Sequence, residues 1–430
     1  MRTELQCYDI YPKVLLTKKK TVITIETLDE KYNFTGENYI VKIVPVNQIM
    51  NHEFTMENTI DTKNYDNKLV FEYEFKKEQE YYIRLYKKDN LVLGDKGILQ
   101  LSVYAVEQDL YERIPLKGDL HVHSCRSDGK ESPAIVACNY RKQGYDFFSQ
   151  TDHGQYNPSV EAINSFKDVK IDLNIVNGEE VHSPDNYVHI INFGSEYSVN
   201  DIYRADEKKY RKEVNEIMET LTELPKDVDR FIYAACVWVS NKIREANGLS
   251  VFCHPFWISN TYNVTPEMSR EILNNGVCDA FELLGGQTVH ENNMQVALYN
   301  DIMITQKNRI PILGNSDSHG TINATWFDIA KTIVFAHKNE KNEIIKSIKD
   351  LYSVAVDSPK GESYRVYGSL RLVNYTRFLM ENYFPIHDEI CIEEGRLMKE
   401  YHLKRDGSKE ALEKLSGRCD KLIKKYFGVI

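Results

Sequence analysis

The chain has 430 residues, of which 42% are hydrophobic and 27% charged, and carries a formal net charge of −10 from 64 acidic and 54 basic residues. That length suits two or three domains with real cores, while the acidic balance speaks against an extended nucleic-acid surface, which needs a basic patch. The N-terminus lacks the basic-then-apolar run of a signal peptide and no stretch reaches the roughly 18 apolar residues of a membrane span, so a cytoplasmic protein without a membrane segment is expected.

In chain order, residues 1–112 read as a small β-sandwich. Strands are expected over Thr21–Leu28, Tyr39–Val46, Leu69–Phe75, Tyr81–Tyr86 and Ile98–Val106, with Leu69, Phe71, Tyr73 and Phe75 on a buried face and Val70, Glu72 and Glu74 on the other. Its tyrosines Tyr81, Tyr82 and Tyr86 suit either core packing or an exposed binding surface, and its one histidine, His52, suggests an auxiliary role rather than chemistry.

Residues 113–350 change rhythm to alternating strands and helices, the pattern of parallel β/α units. Seven strands are expected: KGDLHVH, YDFFSQTDH, LNIVNGEEV, VHIINFG, LSVFCHP, CDAFELLG and IPILGNSDSH. Between them, Tyr210, Val214, Ile217, Met218 and Leu221 make a helical stripe, and Phe231–Ala246 a second helix stopped at Asn247-Gly248. Together these predict a distorted seven-stranded TIM-like barrel. Residues 351–430 read as amphipathic helices over Leu370–Phe384, Asp388–Tyr401 and Ser408–Phe427, ready to pack on the barrel or to form a homo-oligomer. The eight cysteines, at 7, 125, 138, 236, 253, 278, 391 and 419, have no Cys-x-x-Cys spacing and mostly lie in apolar runs, as free thiols in a reducing compartment do.

The strand ends carry six histidines, two aspartates and a glutamate: His121, His123, Asp128, His153, Glu180, His189, His254, Asp317 and His319. Strand ends are where barrels place catalytic groups. Residues i and i+2 share a face, so His121 converges with His123 and Asp317 with His319. The same alternation sends Cys253 and Glu179 away from their neighbours His254 and Glu180, and turns Asp152 from His153 toward a structural role. His182 shares the face of Glu180 and suits substrate contact, support of a ligand or a solvated loop. Arg126 and Lys130 flank Asp128 as candidate phosphate contacts, and Glu282 suits orienting a histidine, facing substrate or packing. His52, His290, His337, His387 and His402 lack such company and read as ordinary core or surface residues.

GDLHVHSCRSDG, then TDH, G-x-E, a histidine in a β run, CHP and SDSH resemble the motifs of the polymerase and histidinol phosphatase (PHP) phosphoesterases over about residues 113–335. The resemblance implies a distorted seven-stranded barrel and a three-metal site. It assigns His121, His123, Glu180 and Asp317 to one ion, has Glu180 bridge to a second held by His189 and His254, and gives Asp128, His153 and His319 a third; the G-x-E spacing selects Glu180 over Glu179. Asp128 stands where some members have histidine. Two or three divalent ions, Zn, Mn or Fe, are therefore expected, with Glu180, Asp317 and His319 central to catalysis and Arg126, Lys130 and His182 on the substrate. The expected reaction is hydrolysis of a phosphomonoester or phosphodiester of a small molecule or nucleotide by a metal-bound hydroxide. An amidohydrolase-like metal hydrolase is the nearest rival; another is a non-catalytic metal protein whose β domain binds a ligand or partner.

Overall fold

A computed structural model describes residues 3–47, 58–88, 97–221, 223–305 and 309–428, so His52 lies outside the described residues. Two units emerge: residues 1–114 with 370–390 and 417–430, and residues 115–369 with 391–416.

The first unit is built on β1 (Tyr8–Tyr11), β2 (Val14–Leu16), β3 (Lys20–Thr27), β4 (Asn38–Pro45), β5 (Thr59–Tyr65), β6 (Lys68–Glu74), β7 (Gln79–Lys87) and β8 (Leu99–Val106). These form one sheet of order β1-β3-β6-β5-β4-β7-β8-β2 rather than the two packed layers of a sandwich. The cause is β5, whose polar sequence TIDTKNY hides its strand character and which pairs with both β4 and β6. Only Pro12 and Lys13 separate the edge strands β1 and β2, so the sheet curls until its edges nearly meet. Alternating side chains, among them Ile10, Ile23, Val41, Leu69, Phe71, Ile83 and Val103, fill the interior. Tyr81 and Tyr86 are buried, and Tyr81 packs its ring 4.8 Å from Phe75, so neither offers an exposed binding face.

Helices Leu370–Asn382 and Arg418–Phe427 belong to this unit. The ring of Tyr104 lies 5.0 Å from Tyr375 and 5.5 Å from Phe378. Asp9, buried in β1, receives Lys13 Nζ at 3.1 Å, Lys425 Nζ at 2.7 Å and the Tyr426 hydroxyl at 3.0 Å.

The second unit contains β9 (Ile114–Asp119), β10 (Phe147–Ser149), β11 (Asn174–Val176), β12 (Gly178–Val181), β13 (Ile190–Phe193), β14 (Leu249–Phe252), β15 (Ala280–Leu284), β16 (Ile312–Gly314), β17 (Ala330–Ala336), β18 (Ser353–Asp357) and β19 (Arg365–Tyr367). Every expected strand has a counterpart, but in two sheets, β11-β10-β9-β17-β18-β19 and β12-β13-β14-β15-β16, where a single distorted seven-stranded barrel was expected. LNIVNGEEV breaks at Asn177 into β11 and β12, one in each sheet. β13 runs antiparallel to both neighbours, against the all-parallel expectation. Two isolated parallel bridges, Val122↔Ser318 and His153↔Glu180, join segments of the two sheets, and both involve residues within or beside the candidate ligands.

The connecting helices follow their sequence signals. Glu207–Thr220 starts on Asp206, whose side chain accepts from Lys209 N, and Arg230–Glu245 on Asp229, which accepts from Ile232 N; such caps stabilise a helix by about 1 kcal/mol each. Their buried stripes meet where Tyr210 packs 4.9 Å from Trp238. After residue 350 the chain first adds β18 and β19. The helix expected over Leu370–Phe384 ends at Asn382, and Pro385 sits in the first turn of the next, Phe384–His402, where its missing N–H would be unpaired anyway. The single helix expected over Ser408–Phe427 divides at Ser416 and Gly417, the latter at φ 79°. Among the described residues no helix is long and apolar enough to cross a membrane, and all eight cysteines are free.

Candidate metal centre

His121 and His123 follow β9, His153 follows β10, Glu180 lies in β12, His254 follows β14, and Asp317 and His319 follow β16. His189 immediately precedes β13. Because β13 runs the other way, its first residue, Ile190, lies beside the last residues of β12 and β14, Val181 and Phe252, which is how a residue before a strand joins residues after strands.

Glu180 is the hub. Its Oε1 lies 2.8 Å from His189 Nδ1 and 3.2 Å from His254 Nε2, and its Oε2 lies 3.6 Å from Nε2 of both His121 and His123. Asp317 Oδ1 closes this second group at 3.2 Å from His121 Nε2 and 3.0 Å from His123 Nε2. A third group gathers on the rim, where Asp128 Oδ2 stands 3.4 Å from His153 Nε2 and 3.3 Å from His319 Nε2. The nine candidate residues thus fall into three neighbouring groups.

A direct test of fit is what these atoms lack. His121 Nε2, His123 Nε2, Glu180 Oε2 and Asp317 Oδ1 are buried and none has a hydrogen-bond partner. Orphaned buried polar atoms cost about 1–3 kcal/mol each, yet these four lie 3.0–3.6 Å apart along the contacts given above. Four ligands about 2.1 Å from a tetrahedral divalent ion would be spaced by about 3.4 Å. His189 Nδ1 likewise approaches Glu180 Oε1 without a hydrogen bond's geometry. Lone pairs converging on a cation explain such short, unbonded approaches.

The charges of the cluster act on one another: burial opposes protonation of His121 and His254, but the neighbouring carboxylates outweigh it and hold both above the ordinary histidine value. Burial opposes ionisation of Glu180 and Asp317, but the surrounding histidines outweigh it and hold both well below the usual carboxylate range. Burial pushes His189 down to about 4, leaving it neutral and able to donate a lone pair. His153 is pushed up to about 9, since Glu180 and Asp128 overcome its burial.

Several buried groups hold these candidate side chains in place. Glu282 Oε2 meets His121 Nδ1 at 2.9 Å and Asn315 Nδ2 at 2.9 Å, while Oε1 accepts from His254 N at 3.3 Å. Of the roles open to Glu282, the structure gives it the grip on His121. Asp119 accepts from the backbone N–H of His121 and Ser316 and from Tyr140 Oη, and burial pushes its carboxyl up to about 7. Gln287 donates to Asp317 Oδ2 at 3.2 Å. Sequence reading missed Asp119, Gln287 and Asn315; the only signal was a polar residue inside or beside an apolar strand. Asp152 accepts from the backbone N–H groups and hydroxyls of Ser124 and Ser127, fixing the loop after His123. Glu179 turns away to Asn192, Ser198, Val199 and Asn200.

Cys253 departs from expectation. Strand alternation would send it to the opposite face from His254, but its sulfur joins the donor atoms of His121 and His254 within 4.8 Å. β14 has already ended at Phe252, and His254 has φ 28°, so the alternation no longer applies. Asp317 is also left-handed, at φ 49°. Non-glycine residues in that region store about 1–3 kcal/mol of strain and concentrate at functional sites.

The candidate substrate contacts are less gathered. Arg126 forms a two-point pair with Glu161 at 2.8 and 2.9 Å, exposed to solvent. Lys130 is exposed and lays its stem over Gly320, next to His319. His182 is inside the histidine group, its Nε2 3.0 Å from His153 Nδ1 and 3.5 Å from Glu180 Oε1. His290, by contrast, stacks on Tyr262 and bonds its hydroxyl.

The chain resembles the PHP phosphoesterases in the order and spacing of these ligand motifs. No protein-family model matches it. It is 40% identical over 57 residues, 13% of its length, to the DNA polymerase/3'-5' exonuclease PolX of Bacillus subtilis (strain 168), and the match spans only 10% of that protein. Among solved structures it is similar to a two-domain protein of Bacteroides vulgatus named for a PHP-like metal-dependent phosphoesterase, at 16% identity and TM-score 0.44 over 63% of this chain and 71% of the other. An amidohydrolase of Chromobacterium violaceum is similar at 15% identity and TM-score 0.31, over 47% of this chain and 87% of that one. Likenesses this distant leave the chemistry to be read from the site itself.

Proposed function

We propose that the chain is a metal-dependent phosphoesterase of the PHP type, hydrolysing a phosphomonoester or phosphodiester of a small molecule or nucleotide. The supporting observation is the tetrad of buried, orphaned donors His121, His123, Glu180 and Asp317, with two further donor groups beside it. In this reading the first ion belongs to the tetrad, the second to Glu180, His189 and His254, and the third to Asp128, His153 and His319. The mixed imidazole and carboxylate set suits Zn, Mn or Fe. A carboxylate, Glu180, occupies the bridging position, which favours phosphoesterase over amidohydrolase chemistry, where a lysine is usual.

Bound divalent ions supply Lewis acidity, acidifying water and neutralising phosphoryl oxygens. The protein's part is placement. Glu180 ties two donor groups together, Glu282 keeps His121 Nε2 turned inward, and the left-handed backbone at Asp317 aims its carboxylate at the same point. Asp128, with a side chain 56% exposed, and the partly exposed His319 leave the third group open to an entering phosphate. The Arg126–Glu161 pair is exposed, and such pairs contribute only about 0–1 kcal/mol. Its guanidinium can therefore exchange a carboxylate for a phosphate, with Lys130 as a second cation on the rim. The sheet of the first unit is assigned an auxiliary role.

The test is turnover by metal-loaded protein across phosphomonoesters, cyclic phosphodiesters and short oligonucleotides, with Glu180→Gln as control. Release of phosphate or nucleotide that disappears in the variant supports the reading. No turnover in any class by protein carrying two or three ions refutes it.

A further inference from the structure

His182 belongs to none of the three ligand groups, yet its Nε2 lies 3.0 Å from Nδ1 of His153. The other nitrogen of His153, Nε2, faces Asp128 Oδ2 at 3.4 Å, in the group shared with His319. When a histidine binds a metal through one nitrogen, the hydrogen bond at the other fixes its tautomer and ring orientation. Two groups stand close to His153 Nδ1: His182 Nε2, which shares a hydrogen bond with it, and Glu180 Oε2, 2.5 Å away but without a hydrogen bond's geometry. Glu180 Oε2 is also one of the four orphaned donors of the first group, 3.6 Å from both His121 and His123 Nε2. A carboxylate oxygen committed to a cation is a weakened acceptor, so in the loaded centre the partner left for His153 is His182.

His182 is built to hold that position. Its backbone N–H donates to Asn200 Oδ1 at 3.2 Å, and its carbonyl accepts from the Tyr203 hydroxyl at 2.8 Å. Asn200 and Tyr203 lie on the helix Val199–Ala205, whose start is capped by Ser198 accepting from Asp201 N. Asn200 Nδ2 in turn donates to Glu179 Oε2 at 2.7 Å and to the Glu180 carbonyl at 3.2 Å, so helix and β12 are clamped together. The His182 ring stacks on His189, with centroids 3.8 Å apart and planes at 21°. Backbone, ring face and ring nitrogen are each engaged.

We infer that His182 is a positioning residue for the third metal position: His153 Nδ1–H donates to His182 Nε2, and this bond keeps His153 Nε2 turned toward Asp128 and His319. The inference rests on the ligand assignment proposed above but not on any substrate. Its consequence is that occupancy of the rim position depends on a side chain that does not touch the ion.

The full-length, metal-stripped protein is titrated with Zn(II), and separately with Mn(II), by calorimetry, with bound ions counted by elemental analysis. Wild type is compared with His153→Ala, His182→Ala, His182→Gln and the double variant His153→Ala/His182→Ala. His182→Ala should weaken one ion by about 10- to 100-fold, the range for removing a partner of a ligating histidine. Gln, whose Oε1 accepts the same hydrogen bond, should recover most of that loss, which a merely space-filling role would not produce. In the His153→Ala background, His182→Ala should have no further effect, as for two residues acting through one contact. Wild-type affinity in His182→Ala, or an equal loss with and without His153, overturns the inference while leaving the ligand assignment standing. An unchanged ion count and affinity in His153→Ala would overturn the assignment, and the inference with it.

Discussion

Replacing Glu282 by Gln alters one charge and one acceptor behind the metal centre while keeping the side chain's size. Glu282 is fully buried and serves three donors: His121 Nδ1 and Asn315 Nδ2 at Oε2, and the His254 N–H at Oε1. Gln offers a single acceptor oxygen. With that oxygen on the His121 and Asn315 side, its NH2 group confronts the His254 N–H across 3.3 Å, donor against donor; reversed, it confronts two donors at 2.9 Å. The first arrangement is the milder, and leaving one buried N–H unpaired costs about 1–3 kcal/mol. The lost negative charge also makes His121 a weaker electron donor. Removing such a partner typically lowers metal affinity about 10- to 100-fold, which corresponds to about 1.4–2.7 kcal/mol. Competition with a chromophoric chelator measures the affinity of the tightest ion, and circular dichroism verifies that the variant is folded. A folded Glu282→Gln protein with affinity within about twofold of wild type would refute the claim that Glu282 acts through His121.

Glu180→Gln, His254→Ala and Asp317→Ala should each nearly abolish phosphoester turnover with little change in secondary structure, because each removes a donor and none fills the core. His290→Ala and His402→Ala should retain wild-type turnover in the same assay. At Gly286 a Cβ would come within 1.8 Å of the Ser316 carbonyl and 2.8 Å of Trp326 Cβ. Gly286→Ala should therefore cost about 1–3 kcal/mol of stability and displace the neighbouring Asp317, read as weakened metal binding together with a lower denaturation midpoint. Asp9→Asn strands the buried Lys13 charge and should destabilise the first unit by about 3–5 kcal/mol at pH 7. Burial opposes ionisation of Asp9, but Lys13 and Lys425 hold its carboxyl below the ordinary 3.8. Its stabilisation is thus complete above about pH 4 and lost as pH falls through the lower folded value. Chemical denaturation at pH 7 and near pH 2 should show the difference between variant and wild type shrinking in acid.

The candidate ligand cluster was legible because the chemistry demands particular side chains at the ends of apolar runs, and spacing alone brings His121 beside His123; Asp317 and His319, paired by the same rule, divide between the first and third groups. What escaped depended on backbone features with no local signature. Cys253 was misplaced because alternation holds only inside a strand and His254 leaves it with a positive φ. The antiparallel course of β13 is set by its neighbours, since the short buried run IINF carries no signal of strand direction. β5 was missed because a polar strand pairing on both sides needs no hydrophobic alternation, and β1 and β2 because four and three residues are too few to show a period. Glu282 sits in the apolar run AFELL, where a carboxylate must find buried partners, but the identity of those partners, His121 and Asn315, is set by the fold.

The joining of residues 1–114 with 370–390 and 417–430 in one unit bears on the order in which the chain takes shape. Asp9 and Tyr426, bonded through a carboxylate and a phenol, are separated by 417 positions. During synthesis at about 5–20 residues per second, the curled sheet leaves the ribosome before helix Arg418–Phe427 and must wait for it on the order of tens of seconds. Closing so long a loop carries an entropy cost that grows only logarithmically with its length, so the delay is kinetic more than energetic. Until that helix arrives, Lys13 and Asp9 lack the Tyr426 and Lys425 partners that complete their pairing. Nascent chains halted before residue 418 should therefore be the species that chaperones hold longest.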